Sequence, residues 1–510
     1  MSKILDSRVY RFFLNTTIYK AVAVCALMLS PSFPFCFRPE IISVILLLWG
    51  AFILINDFFT GHHLSKAPYT LILLGFIVSY CITIIFFLKN DIISTFNVFF
   101  WMIIEFFILY AFFDRDSIKS IFEDVRKINV PVSVVALISA VIGIVSILLR
   151  ITVAMDDPEG LNRMWAFGMY GERNSGHFNN PIPFASCLYI GIIASLWNFV
   201  SNLFDKEKKH SKLSYVFYAA TFVLSYFAMQ TTFTRSFVYA AYVAFGAAGF
   251  IAGYYFFKDN PKLIIRILAA LLCLVIVVGG AYLLAKVEKV LIPYIANLSD
   301  PRVFLLGETV EGKGKDEIIT SLGIQAAVPS DRTQFGASFL GPRENIWRVA
   351  LDVIPHSPVL GFTSGNREAT SLMYDTTGYC EQSFKTGIPT YHNSYIDIAV
   401  SAGLLGLAIM LLFLAFNVFK SFKVIFSKNT RLDKHQSVFY GLLVGGCAAH
   451  IGMTSMFLGT LVFNNISCCL YFWVLLGALS ACNELLDREN KKLKISLITD
   501  KIFKRKTTAE

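Results

Sequence analysis

HNSYIDIAVSAGLLGLAIMLLFLAFNVF, residues 392–419, opens on a histidine and an asparagine and then runs to Phe419 with Asp397 as its one charged residue. At about 1.5 Å per residue a helix of this length exceeds the ~30 Å of a bilayer's hydrocarbon core. Backbone amides in lipid must be paired within their own segment, so the run reads as a transmembrane helix; barrel strands would be shorter and would alternate. Working outward from it, comparable runs occur at roughly 18–37, 41–59, 67–88, 92–113, 131–155, 178–204, 213–233, 235–257, 264–285, 437–460 and 464–482. The expectation is an all-α integral membrane protein of about twelve transmembrane helices.

Composition agrees. Of 510 residues, 55% are hydrophobic and 16% charged, and the mean hydropathy is +0.60, too apolar for a soluble surface of this size. The net charge of +10 would suit nucleic acid, but its distribution follows membrane topology instead. With the N-terminus inside, more than half of the Lys and Arg fall on one side, in pieces such as DKEKKHSK at 205–212 and KSFKVIFSKNTRLDKHQ at 420–436. Residues 286–391 hold ten Lys/Arg against twelve Asp/Glu. The positive-inside rule then places both termini in the cytoplasm, which requires an even number of spans. Nearly all ten cysteines lie inside apolar runs, Cys380 being the exception well inside a loop, so no disulfide framework is implied. Lys3, Arg8 and Arg11 precede a run too long for a cleavable signal, which reads as a retained first span.

This divides the chain into spans one to nine at 1–285, a large extracytoplasmic loop at 286–392 with short helices, spans ten to twelve at 393–482, and a basic cytoplasmic tail at 483–510. Within the loop, ENIWRVALDVI at 344–354 has helical apolar spacing and ends at Pro355; GETVEGKGKDE at 307–317 reads as an exposed turn-rich stretch. A second long outer loop covers 156–177.

Polar residues at the outer membrane surface are the candidates for chemistry. His392 stands at the mouth of span ten in the pattern H-N-x9-G-x2-G, with Gly403 and Gly406 spaced to let another helix approach. On residue type alone it is first an interfacial histidine at a helix start, and second a group able to take a proton near neutral pH. Arg235, in TTFTRSF, lies between two spans with almost no loop, where an arginine is either a snorkelling end residue or one facing a polar cavity. Arg343 begins the loop helix, four residues before Trp347 and so on its face, and Arg173 lies in the second loop. Arg348 is spaced to pair with Asp352. Asp397 falls about 140° round the helix from His392, which makes it a poor orienting partner. Glu105 and His450 are lone ionisable groups deep in apolar sequence and functional candidates on that ground. Phosphate-loop, HExxH, paired CxxC and GxSxG patterns are missing from the sequence, so no cofactor and no metal is expected.

Taken together these residues resemble the O-antigen ligase and polymerase superfamily, membrane glycosyltransferases acting on polyprenyl-diphosphate-linked glycans. The stretch 392–406 looks like the ligase signature; Arg235 in FTRS, Arg343 in RENIW and the R-x-S-G-x-F-x-N-P-x pattern at 173–182 match family positions. The pattern departs at Leu407, where ligases often carry threonine, so ligase and polymerase both remain open. The resemblance implies His392 as the catalytic base and Arg235, Arg343 and Arg173 as ligands of the donor diphosphate. The implied reaction is metal-independent and inverting. It moves a glycan from its polyprenyl-diphosphate donor to a hydroxyl of a glycan or glycolipid acceptor, such as lipid A–core. The place implied is the extracytoplasmic face of a bacterial inner membrane, with the lipid bilayer as partner and no nucleic acid. A lipid-linked glycan transporter or flippase is the more distant alternative, which would favour broken midplane helices.

Overall fold

In lipid, helices associate through close packing of small residues and through satisfied polar groups rather than through a hydrophobic driving force, and the chain is built accordingly. A computed structural model describes residues 8–33, 39–60, 64, 67–113, 116–156, 164–170, 173–205, 210–260, 262–296, 299–306, 343–383, 387–427, 430, 432–463 and 466–507. The helices are α1 (Arg8–Leu14), α2 (Thr16–Leu29), α3 (Pro39–Thr60), α4 (Thr70–Phe87), α5 (Ile92–Ile104), α6 (Ile118–Leu148), α7 (Pro181–Phe204), α8 (Lys212–Thr231), α9 (Arg235–Phe256), α10 (Leu263–Ala296), α11 (Arg343–Val353), α12 (Arg367–Tyr374), α13 (Tyr379–Ser383), α14 (Ser394–Phe426), α15 (Lys434–Ala449) and α16 (Ser467–Thr507). Short π-helical turns extend α5 through Tyr110 and follow α15 from His450. Among the described residues eleven helices are long and apolar enough to cross a membrane, and the α1–α2 pair, bent by 62°, makes twelve when counted as one span.

The bundle is organised around α16 and α7, whose apolar lengths are almost wholly enclosed, while α10 lies at its rim. α9 and α15 meet backbone to backbone: a Cβ on Gly445 would stand 2.2 Å from the Ala244 carbonyl oxygen and one on Gly441 2.9 Å from that of Ala248. Small residues four apart on both helices make that approach possible. The contact fixes the helix that carries Arg235.

The connections segregate to two ends, as strict alternation of twelve spans requires. At one end Phe33 N–H donates to His177 O, Asn90 N–H to the Asn366 side chain, Arg173 to Thr232 O, and Ser394 Oγ to Leu458 O. At the other, Arg126 bonds Asp205, Tyr255 bonds the carbonyls of Val424 and Ile425, and Lys420 pairs with Asp487.

Several boundaries differ from the sequence reading. The first apolar run leaves the helix at Leu29, with Ser30 as its cap and Pro31, which has no N–H to extend the ladder, following it. The fifth span ends at Leu148, and residues 151–155 belong to a strand, following Arg150 in a left-handed conformation (φ 47°). That strand, β1 (Ile151–Asp156), joins β2 (Met164–Tyr170), β3 (Arg173–Gly176) and β4 (Arg302–Leu306) in a four-stranded sheet of order β3-β2-β1-β4. β1 is antiparallel to β2 and parallel to β4. The sheet is a small addition to a helical membrane protein, but it ties the two outer loops together. The stretch 307–317 lies outside the described residues.

The largest departure is in α14. Gly403 sits there at φ 70°, ψ 178°, breaking the helix into two pieces. Residues 357–363 cross the break: Leu404 N–H donates to Pro358 O and Leu405 N–H to Val359 O, while Phe362 and Thr363 N–H donate to Val400 and Ser401 O. Gly403 therefore admits a turn of the same chain, closed by Gly361 N–H donating to Ser357 O, rather than another helix. A Cβ on Gly406 would stand 2.5 Å from the Ala402 Cβ of α14 itself and 3.5 Å from Phe76 on α4.

Candidate functional site

Four polypeptide corners meet at the end of the bundle that carries the sheet. The first is the turn between α8 and α9. Phe233 adopts φ 52° there, and Thr232 Oγ1 accepts from Thr234 N–H at 3.1 Å. Arg173, at the start of β3, clamps this turn from outside: its Nε donates to Thr232 O at 2.9 Å and its Nη2 to Thr234 Oγ1 at 3.0 Å. Neighbouring Asn174 bonds Gly143 O and Thr231 Oγ1. The turn thus presents Arg235, an exposed residue, as the first of α9.

The second corner is the start of α11, where Arg343 is half-buried with its guanidinium over the Phe457 ring, 5.8 Å from the centroid. Burial lowers its pKa from the ordinary arginine value, and the nearby charge of Arg235 lowers it further. One turn along, Trp347 Nε1 donates to Tyr391 O at 2.9 Å, tying α11 to the residue before His392.

His392 occupies the third corner in a left-handed conformation, φ 52°. Asn393 caps α14 behind it, its side chain accepting from Tyr395 and Ile396 N–H. The imidazole is largely enclosed. Burial depresses its pKa below the ordinary histidine value, the positive charge of Arg343 adds to that, and Asp397 opposes it. The fourth corner, 458–461, passes beneath: Ser394 Oγ accepts from Thr460 and Leu461 N–H at 2.6 and 2.9 Å.

The structure therefore places Arg343 within electrostatic range of both Arg235 and His392, and sets Arg173 against the turn that presents Arg235. Arg235 and Arg343 are the first residues of α9 and α11, and His392 precedes the cap of α14, so all three lie where the helix dipole favours an anion. A neutral imidazole near the Arg343 guanidinium can accept a proton while Arg343 and its neighbour Arg235 hold negative charge.

Other sequence candidates fall elsewhere. Glu105 is enclosed at the π-turn of α5, its Oε1 accepting from Cys469 Sγ. His450 Nε2 bonds Thr460 O at 2.8 Å, and its ring stacks on Phe472; it braces the fourth corner rather than facing the cluster. Arg348 pairs with Glu344 at 2.7 Å, not with Asp352, whose carboxylate accepts from Thr376 instead. Asp352 is occupied by the α12–α13 connection, which leaves the residue one turn earlier as partner.

Asp397 and Arg367 were not read as site residues from sequence. Yet Asp397 Oδ1 accepts from Arg367 Nη1 at 3.2 Å and from Tyr391 N–H at 3.0 Å, directly ahead of His392. The signal available was an aspartate in the first turn of a span, which a helical-wheel argument discounted.

Residues 220–411 match a family model described as O-antigen ligase. That range holds Arg235, Arg343 and His392 and leaves Arg173 outside it. No curated protein matches the chain.

Proposed function

We propose that the chain, whose residues 220–411 match a family model described as O-antigen ligase, is a ligase-type glycosyltransferase of that superfamily: it moves a glycan from a polyprenyl-diphosphate carrier to a hydroxyl of a surface acceptor such as lipid A–core. The observation that carries this reading is the clustering of two arginines and a pKa-depressed histidine at three helix N-termini on one end of a membrane bundle. The site end would face outward from a bacterial inner membrane, with both termini in the cytoplasm.

The donor sugar arrives activated, since its anomeric carbon already bears the diphosphate leaving group. Arg235 and Arg343 would grip that diphosphate and stabilise the charge that grows as the bond breaks. Arg173 would add positive charge and hold the turn that aims Arg235. His392 takes the proton of the acceptor hydroxyl, whose oxygen bonds to the anomeric carbon as the electron pair of the C1–O bond passes to the diphosphate. In-line attack inverts the anomeric centre. Guanidinium groups supply the charge compensation, so the reaction proceeds without a metal.

A repeat-unit polymerase would use the same groups with a growing glycan as acceptor. At the break in α14 the carbonyls of Val400 and Ser401 are already bonded by Phe362 and Thr363 N–H, which argues against their coordinating an ion as the unwound helices of transporters do. The deciding experiment incubates purified protein with a defined polyprenyl-diphosphate glycan and lipid A–core, and separately with donor alone, and reads products by mass spectrometry. Glycan on lipid A–core supports the ligase, lengthened donor the polymerase, and donor unchanged in both mixtures refutes the transferase.

A further inference from the structure

Asp397 lies in the first turn of α14, 1% exposed, and serves the corner in front of the helix rather than the helix itself. Its Oδ1 accepts from Tyr391 N–H and from Arg367 Nη1, and its Oδ2 accepts from the Thr390 hydroxyl at 3.2 Å. Thr390 Oγ1 in turn accepts from His392 N–H at 3.3 Å. These bonds bracket His392, whose left-handed backbone is one that a non-glycine residue keeps only where its surroundings fix it.

The carboxylate is also a retained charge. Arg367, itself buried, pairs with it and donates Nε–H to Ser364 O. A buried ion pair of this kind is weak evidence for stability, since apolar residues often serve as well, so its charge invites a functional explanation. Among the described residues the charges acting on the His392 ring are Arg343 from α11 and Asp397 from α14. Arg367 stands behind Asp397 and Arg235 behind Arg343.

We propose that Asp397, held by Arg367, is the positioning residue of His392: its carboxylate fixes the backbone corner that presents the imidazole, and its negative charge offsets Arg343 at the ring. It does for this histidine, through the main chain, what a carboxylate bonded to the ring does in a catalytic triad. The proposal rests on His392 being the base of the proposed transfer.

Two variants of the full-length purified protein separate the two roles. Asp397→Asn keeps an oxygen for Tyr391 N–H but removes the charge; Thr390→Val removes the hydroxyl link and leaves the charge. Protonation of His392 is read without turnover, from the pH dependence of its modification by diethyl pyrocarbonate, quantified on the His392 peptide. Asp397→Asn should move that midpoint to lower pH by on the order of half a unit, and the acid limb of glycan transfer with it. Thr390→Val should leave the midpoint in place and lower kcat several-fold at unchanged donor KM. An unmoved midpoint in Asp397→Asn, or wild-type kcat in Thr390→Val, overturns the proposal. If His392→Gln transfers normally while Asp397→Asn still moves the midpoint, the general-base reading fails and the electrostatic link to Asp397 stands.

Discussion

Replacing Gly403 with alanine should disable the protein far more than its size suggests. The residue holds φ 70°, ψ 178°, a region open almost only to glycine, where another residue costs about 1–3 kcal/mol. A Cβ there would stand 2.0 Å from Val359 O and 2.3 Å from Val359 C, against the ~3.5 Å of an ordinary contact. Both neighbours are backbone, so the crossing segment must withdraw. Four hydrogen bonds depend on that segment: those of Leu404 and Leu405 N–H to residues 358 and 359, and those of Phe362 and Thr363 N–H to residues 400 and 401. Losing two of them in a water-poor setting costs about 1–3 kcal/mol each. The total, on the order of 3–9 kcal/mol, is a large share of the roughly 5–15 kcal/mol that holds a typical fold. Gly280→Ala is the control, because a Cβ there meets nothing within 4 Å and alanine suits a helix interior better by about 0.5–1 kcal/mol. The assay is monodisperse yield and thermal unfolding midpoint in one detergent. Gly403→Ala should fall well below wild type and Gly280→Ala should match or exceed it. Equal midpoints for the two variants would refute the account of the break.

His392→Gln should retain membrane insertion and donor binding while losing transfer by about 10²–10⁴-fold, the usual effect of removing a general base. Burial and Arg343 depress the His392 pKa, so the neutral base persists as pH falls; wild-type transfer should stay level through pH 7 and decline only below the ordinary histidine value of about 6.5. A decline beginning above pH 7 would contradict the environment described for the ring. Arg235→Lys and Arg343→Lys should each weaken donor turnover at least tenfold, because lysine keeps the charge and loses the planar fork; wild-type donor kinetics in both would remove the diphosphate assignment. Cysteines introduced at Glu381 and Ser427, in a background without native ones, should differ in labelling by an impermeant reagent. Labelling at 427 but not 381 in intact cells would invert the topology.

What the sequence made legible follows from the solvent it is written for. Lipid forces every span into an apolar helix, and basic residues gather on one side. The number and alternation of the spans could therefore be read directly, and with them the mouths of α9 and α14 at one end of the bundle. Arg235, Arg343 and His392 stood out because charge or imidazole at such mouths is conspicuous against apolar sequence. The break at Gly403 was not legible, because glycine in an apolar run signals helix packing and positive φ alike. The deciding partner, residues 357–363, lies some forty positions upstream. The sheet was hidden for a related reason: β1 finds β4 across about 150 residues, and nothing local marks MWAFGMY as a strand rather than loop. Asp397 was discounted by a wheel angle that assumes His392 shares the helix. His392 lies outside it, at φ 52°, so the angle does not apply, and the carboxylate reaches its neighbours through Thr390 and Tyr391 instead. In each case the missed feature is a departure from regular helix geometry. The departures collect at the end of the bundle that carries Arg235, Arg343 and His392, so the candidate site was hardest to read where the chain abandons the one conformation that lipid imposes elsewhere.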